Sequence, residues 1–130
     1  MITKSVFNLL STDTPVSAVV VARIYPMVLP QNHIFPAIVY SVLDKEKGIN
    51  FDSSSEKFTE TFVQVDSLTE SYQSMKELSL KVFNALNNFS GTNSSNVIYS
   101  ISQESYSEIY EDALEAYRAS NVFKINHIED

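Results

Sequence analysis

Cysteine is absent from this chain of 130 residues. Disulfides, thiolate metal sites and cysteine nucleophiles are thereby excluded, and the composition fits assembly in a reducing cytoplasm. Glycine is nearly as scarce, at two residues. A glycine-rich phosphate loop or a Gly-x-Ser-x-Gly nucleophile elbow needs more than that. Nine Lys+Arg stand against sixteen Asp+Glu, a formal net charge of −7. The cations are scattered singly, without the basic stripe of a dedicated nucleic-acid binder. The longest apolar runs, residues 16–22 and 35–43, are too short or too interrupted to span a bilayer. The first residues lack a basic start followed by an apolar run, so no signal peptide is expected. The glycosylation-type triplets at Asn88 and Asn93 then read as chance matches.

What remains is apolar and aromatic. Hydrophobic residues make up 44%, with eight Phe and seven Tyr. Such a chain buries a core of its own, and residues 1–130 are expected to form one domain.

Periodicity suggests the elements. Ile2, Val6, Leu9 and Leu10 recur at helical spacing. Thr14 followed by Pro15 predicts the cap and first position of a second short helix, ending near Arg23. Three of the four prolines, Pro26, Pro30 and Pro36, come next. Each fixes φ and removes a donor, which suits a stiff surface loop or a rigid extended connector. A strand is expected from Ala37 to Val42, with Ile38, Tyr40 and Val42 on one face. Residues 44–57, charged and serine-rich, read as a long flap between two strands, mobile until a partner orders it. Residues 58–67 alternate, with Thr61, Val63 and Val65 inward and Phe62, Gln64 and Asp66 outward.

Ser71 then caps the clearest helix, whose stripe is Met75, Leu78, Val82, Leu86 and Phe89, closed by Gly91. Strands are expected over 96–103, with Val97, Tyr99 and Ile101 on one face, and over 114–128, with Tyr117, Ala119, Phe123 and Ile125 on one face and Arg118, Ser120, Lys124 and Asn126 on the other. The acidic, tyrosine-rich stretch 104–113 reads as a connector between them. The sum is an α+β fold: a two-layer sandwich with an antiparallel sheet of about four strands, helices on one face and a long flap hairpin.

Chemistry has little to stand on. Five carboxylates lie between Glu104 and Glu115, but without the spacing or glycine of a hard-cation loop they read as a solvated run. His33 and His127 fall in separate elements, outside any ligand pattern. No catalytic, cofactor or metal residue is expected. The aromatics Phe62, Tyr99, Tyr106, Tyr110 and Tyr117 suit either a small core or a protein contact.

In collinear order, "ARIYPMVLPQ", "FPAIVYSV", "FVQVDSLTESYQSMKEL" and "YEDALEAYRASNVFKINH" resemble the tail-completion, or tail-terminator, family of long-tailed bacteriophages. The resemblance spans nearly the whole chain and is most specific in the first two blocks. It implies a structural virion protein made in the host cytoplasm, forming a ring of generally six subunits on the head-proximal end of the tail tube. The partners implied are the chain itself, the tube protein and the head connector, with DNA passing through unbound. On this reading the stiff segment preorganises a subunit contact. Candidate contact residues are Arg23, Tyr25, Pro26 and Pro30 there, Lys45, Lys47 and Phe51 in the flap, Phe62 on the outer strand face, and Tyr110. Two other readings compete: a small cytoplasmic adaptor acting as monomer or dimer, and a hydrolase with an unusual acidic site at 104–115.

Overall fold

The computed structural model describes residues 2–47 and 57–129. The chain begins with two helices, α1 (Ile2–Thr12) and α2 (Thr14–Val20), and a short strand, β1 (Ile24–Pro26). Two long strands follow, β2 (Ala37–Lys47) and β3 (Lys57–Thr69), then α3 (Tyr72–Leu86). A short β4 (Gly91–Asn93) precedes the longest pair, β5 (Asn96–Glu111) and β6 (Ala116–Glu129). Among the described residues the sheet has six strands in the order β1-β2-β3-β6-β5-β4.

The α+β class and the helix-covered face agree with the sequence reading, but the sheet is larger and mixed. β1 lies inside the proline-rich segment and pairs in parallel with β2, Ile24 opposite Ile38. A three-residue strand carries too few side chains to show an alternation, which is why the sequence conceals it. The same holds for β4.

α3 forms where its stripe predicts. Ser71 is extended (φ −134°, ψ 151°), and its hydroxyl accepts from the Ser74 N–H at 3.2 Å. Met75, Leu78, Val82 and Leu86 are at most 1% exposed. The helix ends earlier than Gly91 implies. The Asn87 N–H closes on the Phe83 carbonyl, and Asn88 turns the chain out at φ 67°. Asparagine tolerates that left-handed geometry, so Gly91 is released to open β4. In α2 the cap is Asp13, not Thr14: its carboxylate accepts from the Val16 N–H at 3.2 Å.

The core lies between the helices and one face of the sheet. It gathers Val6, Leu10, Val16 and Val20 with Ile38, Val63, Val65, Phe123 and Ile125. Thr61, Val63 and Val65 point inward as expected. Each fully buried aliphatic or phenyl side chain contributes roughly 1.5–3 kcal/mol. His127 is also buried, its Nε2 2.8 Å from Thr61 Oγ1. β2 departs from a one-faced strand. Val39 and Ala37 are buried on the face away from the helices, while Val42 is exposed. Val39 lines a shared hollow with Met27, Val28 and Leu29, so the proline-rich segment folds over that end of the far face.

The largest correction falls on 104–113. Residues 104–111 are the second half of β5, paired with β6 as far as Glu111 opposite Ala116. The register shifts at Ile98/Ser100 and again at Gln103/Ser105. The first shift turns both Ile98 and Ile101 into the core and leaves Tyr99 outside with Val97, so Ile101 does not share a face with Val97 and Tyr99 as expected. The flap is likewise shorter than expected. Residues 44–47 continue β2 and 57 opens β3, while 48–56 lie outside the described residues.

Candidate interaction surface

The proline-rich segment is held by its own chain. The Arg23 guanidinium donates from Nε to the Pro36 carbonyl at 2.8 Å, and from its terminus to the Val19 carbonyl at 3.4 Å. The Arg23 carbonyl accepts from the Ile38 N–H at 2.9 Å. Arg23 is therefore a brace joining α2, the segment and β2. Phe35–Pro36 is a cis peptide. Pro26 ends β1, and the Pro30 carbonyl lies 3.0 Å from His33 Nδ1, whose ring packs 4.9 Å from that of Phe35. Met27, Val28 and Ile34 are left 70%, 71% and 63% exposed.

A second cluster joins α3 to the outer half of β5. Glu108 is its hub. It accepts from Lys76 Nζ at 2.8 Å, from the Tyr106 hydroxyl at 2.5 Å and from the Tyr72 hydroxyl at 3.0 Å. The Lys76 contact is the main force holding the Glu108 carboxyl down at about 2, with the Tyr106 hydroxyl next. The same bond raises Lys76. Its ammonium also sits 5.7 and 5.6 Å from the ring centroids of Tyr72 and Tyr106. Burial, more than its bond to Glu108, raises the Tyr106 hydroxyl.

Beside this cluster α3 and β5 enclose a cleft of about 510 Å³, walled by Leu80, Phe83 and Tyr106. Its floor is Gln103 and Asn121, the Gln103 amide donating to Asn121 Oδ1 at 2.6 Å. The Asn121 amide in turn donates to Ser79 Oγ at 3.1 Å.

On the far face Arg118 bridges Asp66 and Glu111. Asp66 is 4% exposed and also accepts from the Gln64 amide at 3.0 and 3.1 Å. Glu104, Glu108 and Glu111 are thus spread over two faces of a strand and paired with separate cations, Lys124, Lys76 and Arg118, while Asp112 and Glu115 lie in the turn after β5. Among the described residues, no three His, Asp or Glu are placed to hold a metal. No helix of the described residues is long and apolar enough to cross a membrane.

The residues singled out in the sequence do not converge on one spot. Arg23, Tyr25, Pro26 and Pro30 lie at the β1 edge, and Lys45 is exposed further along β2. Lys47 ends β2, and Phe51 lies outside the described residues. Phe62 is half-buried, and Tyr110 is 49% exposed at the opposite end of the sheet, 4.9 Å from the ring of Tyr117. The sequence does not single out Lys76, and it presents Glu108 only as one carboxylate of a solvated run. Tyr106, Glu108 and Tyr110, separated by Ser107 and Ile109, already alternate as a strand does, and that was the available signal.

By sequence, no family model matches the chain and no curated protein matches it. Among solved structures it is similar to a chain described as "Virion of native gene transfer agent (GTA) particle", with a TM-score of 0.74 at 15% identity. The likeness covers 97% of this chain and 93% of that one, and it is a likeness of fold.

Proposed function

We propose that the chain is a structural virion protein of a tailed-phage-like particle, acting through assembly and performing no reaction. The observation that carries this is the shared fold with a virion chain over almost the full length of both. The finer reading is a tail terminator. Copies close into a ring, generally of six, on the head-proximal end of the tail tube, halt its growth and dock onto the head connector. DNA passes through the bore without being held. The collinear blocks from Arg23 onward support that reading, as does the presence of exposed apolar residues on the strands at both ends of the sheet.

Light scattering of the purified chain, alone and with tail tubes, combined with electron microscopy, tests it. A ring near six times 14.7 kDa capping one end of each tube is expected. A chain that stays monomeric or dimeric and leaves tube length unchanged favours the adaptor reading instead.

A further inference from the structure

The sheet is open at both ends, and each end is open over only part of its length. β1 flanks β2 at residues 38–40, and β4 flanks β5 at residues 96–98. Next to β4, the turn after α3 takes two more backbone groups of β5. The Asn88 N–H donates to the Ile101 carbonyl at 2.8 Å, and the Gln103 N–H donates to Asn87 Oδ1 at 3.1 Å. Beyond these, residues 41–47 of β2 and 104–111 of β5 have no strand on their outer sides among the described residues.

Exposed strand edges are commonly guarded by free charge, proline or a covering element. Here the guard on β5 is tied down. Glu104 faces Lys124 at 3.7 Å, Glu108 holds Lys76 at 2.8 Å, and Glu111 pairs with Arg118. What this edge shows outward is Ile109, 54% exposed, and Tyr110, 49% exposed. The other end shows Leu43 at 53% and Val42 at 41%, with Met27 beside them at 70%, followed along the strand by the exposed charges Asp44 and Lys45. Among the described residues, none of the exposed large hydrophobics falls on the central strands β3 and β6.

We infer that the open stretch of β5 in one copy adds onto the open stretch of β2 in the next, making one sheet run through both subunits. This rests on the reading of the chain as a ring subunit. Unlike edges at opposite ends of the sheet give a head-to-tail contact, which closes into a ring when the rotation per copy divides a full turn. The direction of pairing follows from the topology. β2, β3, β6 and β5 alternate in direction, so β2 and β5 run oppositely within one subunit. A rotation of about 60° per copy in a six-membered ring preserves that opposition, so the added pair is antiparallel. Across one subunit residue 41 is level with residue 105, so the open stretches come side by side when the neighbour is displaced along the strands by about six residues (from 105 to 111), which in a closed ring inclines the strands to the ring axis. β1 sits just beyond residue 111 of the neighbour, and the neighbour's β4 sits beyond residue 47. Ile109 and Tyr110 then meet Val42, Leu43 and Met27.

The absence of native cysteine makes disulfide trapping a clean test. Leu43→Cys is combined in turn with Ser107→Cys, Ile109→Cys and Glu111→Cys, a set that scans the register. Mild oxidation of the assembled protein is expected to give a ladder of covalent multimers ending at the ring size for one of the three. The single variants should give none. Ile109→Lys, with an unchanged circular dichroism spectrum, should raise the concentration needed for assembly by about tenfold or more. Multimers detected by light scattering without any ladder overturn the edge pairing and leave the ring reading standing. Dimers from a single variant overturn it as well, because like edges then meet. A chain that stays monomeric at every concentration, with or without tubes, overturns both.

Discussion

Lys76 on α3 and Glu108 on β5 stand 2.8 Å apart and bind the helix to the strand at its open end. Because the Glu108 carboxyl is held at about 2, below its ordinary 4.5, the stabilisation it gives is whole above about 4.5 and is lost as pH falls through about 2. Lys76, raised above its ordinary 10.5, mirrors this at the alkaline end, where its contribution fades as pH climbs through the raised value. A side-chain carboxyl titration by NMR is expected to place Glu108 near 2, and Lys76→Met to return it toward the ordinary glutamate range. A wild-type midpoint already in that range contradicts the clamp.

Leu78 is 1% exposed on the sheet-facing stripe of α3. Leu78→Ala is expected to cost about 3 kcal/mol through lost contacts and a residual cavity. Leu78→Asp places an unpaired charge there and should prevent soluble folding. Wild-type melting of the aspartate variant would sink the packing assigned to α3.

Val21 closes α2 with φ 58°, a conformation that β-branched residues rarely adopt, and it is 64% exposed. Relief of that strain outweighs both the little packing lost and the extra unfolded-state freedom of glycine. Val21→Gly should therefore stabilise the chain by about 1 kcal/mol in urea titrations. A destabilised variant means that the valine is held there by contacts of greater worth.

In a ring, charge sets how DNA is treated. Six copies carry a formal charge of about −42 (6 × −7), so an acidic or neutral bore arises without special placement of residues. Duplex DNA is then repelled at distances up to a Debye length. Anisotropy titrations at physiological salt should show no binding. Affinity of micromolar strength or better counts against a bore built to let DNA pass.

Much of the fold was legible wherever one face of one element is buried. α3 and β6 carry their stripes in the sequence, and Phe123 and Ile125 fall on the predicted face. β1 was not legible because its partner, not its composition, makes it a strand. The outer half of β5 reads as a connector because Glu104, Glu108 and Glu111 dominate its composition. The cations that neutralise them, Lys124, Lys76 and Arg118, lie 20, 32 and 7 residues away and meet them only in the folded state. Of the candidate surface, the exposed proline-rich segment could be foreseen. The opening of β2 and β5 at opposite ends could not, because it depends on sheet order.

That order also governs how the chain can acquire its structure. β6 is the latest of the strands in the sequence yet stands between β3 and β5 at the middle of the sheet. The Thr61–His127 bond alone spans 66 residues. Until β6 has been synthesised, β3 and β5 each lack a partner on one side, and Val63, Val65 and Ile101 lack the strand that completes their layer. Closure of such distant pairs is slow compared with local helix formation. On the ribosome the helices can form early, but the sheet stays divided until its central strand emerges, and in that interval unpaired strand edges and apolar surface are exposed to aggregation.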